Sequence, residues 1–334
     1  MEGVEEARTL ILTEMNSRQH HTTISEALPP QTISESWRWI ASLAEKDGRD
    51  FTTPLIMGIL NITPDSFFDG GKVDSVERGI ECGLELLREG ADILDIGGES
   101  TRPPGKDYGD GSTTISGDEE IARVLPVIEG IIAEAPGAII SIDTVKPEVA
   151  SAAISAGASI VNDVSAGEFD EHIWEVAAET DVPYILMHGH NPAKRVPVDQ
   201  IIYSDVVEDV STYLSNRIEK AASRGVRKII ADPGIGFAKG ATDSELIIRE
   251  LERFRRLGCP LLVGASRKSF IGRMLGGVPP SDRLYGTIAA QAVAALNGAA
   301  IIRLHDVRPA VDFFKIFAAL QKSPLPFTEG FREG

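Results

Sequence analysis

Between residues 55 and 304 the chain repeats one pattern: a short apolar run rich in β-branched residues, then a longer segment with helical spacing. The apolar runs predict strands over Leu55–Leu60, Asp92–Ile96, Ala138–Ile142, Ser159–Val161, Tyr184–Met187, Lys228–Ala231, Leu261–Val263 and Ala300–Leu304. Helices are predicted over Ser75–Glu89, Asp118–Ala135, Lys146–Ala156, Ser204–Arg224, Asp243–Arg256 and Ser281–Asn297. Several of them are followed by a glycine suited to a helix C-cap, namely Gly90, Gly157, Gly225 and Gly298. Strands that are apolar throughout, instead of alternating, are buried on both faces, as in a parallel sheet. Eight βα units in one run favour a closed (β/α)8 barrel over an open doubly wound sheet.

Polar residues then fall in a telling place. Asn61 follows the first predicted strand; Asp95 and Glu99-Ser100-Thr101-Arg102 belong to the second. Asp143, Asn162-Asp163, His188 and Asp232 close the next four, and Ser266-Arg267-Lys268 the seventh. The eighth carries Arg303, His305 and Asp306. In a barrel these ends share one face, the face where active sites lie. Helix capping explains any single Asp, Asn or Ser there, but it does not call for Lys268 or Arg303. For Arg303 a salt bridge to a neighbouring barrel acid is the alternative.

Residues 1–50 stand apart as an N-terminal extension to a barrel domain expected over 51–334. A polar, aperiodic stretch runs to Pro30, and Thr32 to Glu35 then fits a capping box. Ile33, Trp37, Ile40 and Leu43 form an apolar stripe at helical spacing, read as a helix packed outside or beneath the barrel. The opening Met1-Glu2-Gly3-Val4-Glu5-Glu6 is no signal peptide. The apolar stretch 286–304 is interrupted by Gln291 and Asn297 and reads as a buried helix and strand, not a membrane span.

A net charge of −17 opposes a nucleic-acid partner, which needs a basic face, but leaves room for a small anionic substrate. Cys82 and Cys259 make neither a disulfide framework nor a zinc motif, and a reducing cytosol is expected.

Four groups of residues carry chemistry. The loop from Asn61 to Gly71 holds Pro64, Phe67, Phe68, Asp69 and a Gly pair, and could close over an apolar or aromatic ligand. Gly97 to Pro103 offers backbone N–H groups, hydroxyls and Arg102, which suits an anion. Arg303 and His305 are expected to converge with it. Asp143, Asn162, Asp232 and Lys268 suit a flat heterocycle with N–H donors on one edge and acceptors on another. Gly234-Ile235-Gly236-Phe237 is not a dinucleotide fingerprint, and Gly264-Ala265-Ser266-Arg267-Lys268-Ser269 is not a Walker A loop.

From about Pro54 to Asp306 the chain resembles the dihydropteroate synthases, folate-pathway enzymes. The likeness rests on Met57 to Phe67, Asp95 to Pro103, Ser141 to Thr144, Val161-Asn162-Asp163, Leu186-Met187-His188, Asp232 to Phe237, Ser266 to Ser269 and Ile302 to Asp306. The resemblance implies a TIM barrel that joins 6-hydroxymethyl-7,8-dihydropterin diphosphate to p-aminobenzoate. It implies that Asp232 holds the pterin's amino and N3–H edge, with Asp143 and Asn162 beside it. Lys268 would reach the carbonyl and N5 side, and Met187 and Phe237 would line the slot. Asn61 would help hold magnesium on the diphosphate, whose oxygens meet Arg303 and His305. Phe67, Asp69, Thr101 and Arg102 would shape the p-aminobenzoate pocket, with Ser269 on its carboxylate. On this reading Asn61, Asp69, Lys268, Arg303 and His305 carry the chemistry, and a homodimer is expected.

The chain departs from the family at Gly189-His190, where a Met and then a longer polar residue are usual, and it is longer between Pro103 and Asp118. Two rivals remain at this point. A methyltransferase barrel has no diphosphate to expel and no need for Asn61, Arg102 and Arg303 together. A non-catalytic pterin-binding paralogue is the other.

Overall fold

In the computed structural model of the chain, the described residues are 53–63, 72–99, 114–189 and 201–321. The N-terminal extension, with its expected helix, lies outside them. The strands are β1 (Leu55–Asn61), β2 (Ile93–Gly97), β3 (Ile140–Asp143), β4 (Ile160–Asp163), β5 (Tyr184–Met187), β6 (Ile229–Asp232), β7 (Leu261–Val263) and β8 (Ala299–Leu304). Each pairs in parallel with the next, and β8 pairs with β1 in register Leu55 to Ile301, so the sheet closes. The helices between are α1 (Lys72–Glu89), α2 (Gly117–Glu134), α3 (Pro147–Ser155), α4 (His172–Thr180), α5 (Val206–Ser223), α6 (Ala241–Arg249), α7 (Ser269–Met274) and α8 (Leu284–Leu296), with α9 (Val307–Leu320) after the last strand. This is the expected (β/α)8 barrel.

The strands are buried nearly end to end because helices cover their outer faces, and barrel side chains fill the inside. All four expected C-cap glycines have positive φ, between +96° and +115°. Five strands, β1 to β4 and β6, run a residue or two beyond their predicted ends, so Asn61, Asp143, Asn162-Asp163 and Asp232 lie inside them.

Two expectations need correction. The helix expected over Asp243–Arg256 stops at Arg249, and a 3-10 turn, Leu251–Leu257, follows. Leu251, Phe254 and Leu257 are all buried, and only a three-residue turn points every third side chain inward. Arg253 bonds Glu250 at 2.8 Å, and Arg256 reaches Glu208 at 2.8 Å and Ser211 at 2.9 Å, tying that turn to α5. Three helices, α4, α7 and α9, had no counterpart among the predicted ones.

Candidate active site

The carboxyl ends of the strands gather most of the residues the sequence singles out. From β2, Asp95 is fully buried; it accepts the Asn162 Nδ2 amide from β4 at 3.1 Å and the Arg303 Nε from β8 at 2.6 Å. Arg303 Nη2 donates to Asp143 Oδ2 of β3 at 2.8 Å. The salt-bridge alternative for Arg303 is therefore what the structure contains, and its pairs are with two acids at once. The other Asp143 oxygen, Oδ1, is buried with no hydrogen-bond partner among the described residues. A buried acceptor left over in a barrel mouth is a group waiting for a donor.

Asp232 ends β6 and accepts the Gly234 N–H at 2.7 Å. Lys268, just before α7, places its Nζ 4.0 Å from the centre of the Phe237 ring. Phe237 packs on Met187, Val145 and Val164, a small apolar cluster separate from the main core. An acid edge, an ammonium and an aromatic wall thus stand together. His305 lies one residue past the end of β8 and binds Ser266 Oγ through Nδ1 at 3.0 Å. Ser269 opens α7 and is half-buried, and Asn61 is half-buried at the end of β1. Phe67, Asp69, Thr101 and Arg102 lie outside the described residues, as do His190 and most of the longer second loop.

Burial sets the electrostatics. It raises the Asp143 carboxyl, against the pull of Arg303, and pushes Asp232 up to about 6. It lowers Lys268 to about 8, helped by Arg303 and opposed by Asp232. His305 keeps an open edge at the rim, yet crowding around its ring, Arg303 and Arg267 hold it below the usual imidazole range. Arg303 stays charged: burial opposes this, but Asp95 and Asp143 outweigh it.

Several residues of the site escaped the sequence reading. The sequence marks Asp95 only as an acid at a strand end, and its bonds to Asn162 and Arg303 come from distant strands. Buried Lys146 bonds Glu99 and Glu120, both at 2.5 Å, and so ties the start of the second loop to α2. Lys239, also buried, bonds the His188 ring and three backbone carbonyls. Lysines near a glycine-rich loop usually face water, so only coordinates reveal such burial.

Residues 57–305 match the family of pterin binding enzymes. The chain belongs to that family. It is 44% identical over 268 residues to the dihydropteroate synthase of Bacillus subtilis (strain 168), which covers 80% of this chain and 88% of that one. The solved Xanthomonas albilineans dihydropteroate synthase with 4-aminobenzoic acid superposes with a TM-score of 0.74 at 42% identity, covering 82% of this chain and 95% of that one. The same enzyme in complex with 7,8-dihydropteroate gives 0.71 at 39%, covering 83% and 97%. Within the family, then, the chain falls among the dihydropteroate synthases.

Proposed function

We propose that this chain condenses 6-hydroxymethyl-7,8-dihydropterin diphosphate with p-aminobenzoate to give 7,8-dihydropteroate and diphosphate, a transferase step of folate synthesis. The observation that carries the proposal is the set formed by Asp143, Asn162, Asp232 and Lys268, from four barrel segments, beside Arg303 at one mouth.

Each partner has a task. The Asp232 carboxylate accepts two N–H bonds from the guanidine-like pterin edge, a bidentate match. Asn162 spends its amide N–H on Asp95, so its carbonyl oxygen serves a ring N–H. Asp143 Oδ1, unpartnered among the described residues, takes a second. Lys268 donates to the ring carbonyl, and Met187 and Phe237 face the bicycle. The C–O bond to diphosphate breaks with its electron pair on the leaving oxygen, and the dihydropterin delocalises the cation. The neutral aniline nitrogen then attacks, the C–N bond forms, and the nitrogen's proton goes to solvent. Arg303 and His305 stabilise the departing anion where its charge develops. Phe67, Asp69, Thr101, Arg102 and Ser269 are assigned to the p-aminobenzoate side.

Among the described residues no cluster of three or more His, Cys, Asp or Glu could cage a metal. A single amide such as Asn61 suits magnesium, which keeps waters and binds mainly through substrate phosphates. Bound there, magnesium would neutralise charge on the diphosphate oxygens.

We also assign the chain a reducing cytosolic setting, which suits free thiols at Cys82 and Cys259. A homodimer is part of the proposal; the exposed Met274, Leu275 and Val293 of the α7–α8 face support it. No helix among the described residues is long and apolar enough to cross a membrane.

Diphosphate release with and without p-aminobenzoate tests the reaction. Release matched by dihydropteroate is expected, and Arg303→Ala should lower it at least about tenfold. No p-aminobenzoate-dependent product from the full chain would overturn the assignment.

A further inference from the structure

The loop from β6 to α6 winds around one buried ammonium. Lys239 Nζ donates to Gly234 O at 3.0 Å, Phe237 O at 2.9 Å and His188 O at 3.1 Å, and it meets His188 Nδ1 at 2.7 Å. The residue is only 4% exposed. Burial lowers Lys239 to about 7, and in its ammonium form its three N–H groups are shared among these four acceptors, with His188 accepting through Nδ1 and carrying its proton on Nε2. Its ring also meets Tyr213 edge-on, with centroids 4.7 Å apart.

The loop takes this shape at a conformational expense. Gly234, Gly236 and even Ala238 sit in the left-handed region, at φ +69°, +76° and +53°. A Cβ on Gly234 would lie 2.0 Å from His188 O, so the loop backbone lies directly against the exit of β5. Carbonyl oxygens turned to one interior point repel one another, and each costs free energy if left unpaired. Lys239 donates to all three, with the Phe237 N–H also reaching Gly234 O at 3.1 Å.

What the ammonium holds is the slot. Phe237 lies two residues before it and carries Lys268 above its ring. Gly234 lies five before it and gives its N–H to Asp232. Met187 directly precedes His188 and packs with Phe237. Three walls of one cleft therefore hang on a single side chain that does not itself line it.

We propose that Lys239 is a positioning residue for the ring-binding slot: by clamping the β5 exit to the β6–α6 loop, it fixes Phe237, Met187 and Asp232 for the bicyclic substrate. This inference rests on the pterin reading of the site. It makes the effect of Lys239 selective, because the aniline substrate does not use those walls.

The test compares the full chain with Lys239→Met, measuring calorimetric affinity for 6-hydroxymethylpterin and the KM of each substrate in turnover. Ring affinity should fall about ten- to a hundredfold, as for misplaced positioning groups, with the p-aminobenzoate KM within about twofold. Adding Phe237→Leu should weaken ring binding clearly in the wild type and little in Lys239→Met, a non-additivity that general destabilisation does not produce. Asn297→Ala, at the far end of the barrel, controls for lost stability. If Lys239→Met does not fold, Lys239→Gln, which keeps an N–H donor, should show the same selectivity at smaller size. Unchanged ring affinity, equal shifts for both substrates, or full additivity with Phe237→Leu would overturn the inference. Absence of dihydropteroate from the wild type would instead strike the functional reading, while the calorimetric arm still decides on Lys239.

Discussion

Asp232 is a carboxylate kept where carboxylates are unwelcome. Burial raises it to about 6, even though the Gly234 N–H, Lys268 and Lys239 pull the other way. Its folded value thus lies above the unfolded one near 3.8. Between those values the folded chain holds more protons than the unfolded chain, so stability from this group falls as pH rises. An Asn does not titrate and retains an oxygen for Gly234. Asp232→Asn should therefore unfold at a higher temperature than the wild type at pH 8. The advantage should amount to at most about 3 kcal/mol and shrink to nothing towards pH 4. Pterin affinity should move the opposite way, because an amide cannot accept both N–H bonds. Thermal unfolding across that pH range and calorimetry at its upper end check both halves. A stability gain with unchanged binding would remove Asp232 from the pterin edge.

Among elements, the decisive join is between β2, α2 and the segment after β3. Lys146 sits between Glu99 and Glu120, and all three side chains are at most 15% exposed. Burial raises the Glu120 carboxyl despite Lys146, whereas the two acids keep the Lys146 ammonium charged against burial. Removing the cation strands two carboxylates in the interior. Lys146→Met should therefore cost about 3–5 kcal/mol in urea unfolding at neutral pH. A loss below 1 kcal/mol would show that water reaches the acids. Sequence made the alternation of strands and helices plain, because burial on both strand faces writes continuous apolar runs. It also placed the acids, amide and cations on one rim. It missed α4, and it missed α7, which at six residues shows too little of a helical repeat. It missed α9 as well, where Pro309 falls in the first turn and so removes no helical hydrogen bond. Ion pairs such as Arg303 with Asp95 join positions 208 residues apart and leave no local trace.

For the whole molecule the question is what covers the outer face of α7 and α8. Met274 is 66% exposed, Leu275 48% and Val293 41%, and they border an apolar groove whose floor includes Phe270 and Ile271. Tyr285, 85% exposed, and Leu296, 46%, extend the patch along α8. A net charge of −17 makes a second copy repulsive at long range, but this patch holds few charges, so contact there buries apolar surface without pairing like charges. A face used by both copies about a two-fold axis would present each groove to the other's protruding Met274. Met274→Glu with Val293→Glu places two carboxylates in that contact from each protomer. Light scattering should then find the wild type at twice the chain mass and the double variant at the chain mass. Its melting temperature should become independent of protein concentration, since the linkage between assembly and folding is lost. The active-site mouth belongs to the strand ends and not to this helical face, so the monomeric variant should still bind the pterin ring. A wild type that runs as a monomer at every concentration would assign the patch to something other than a second copy.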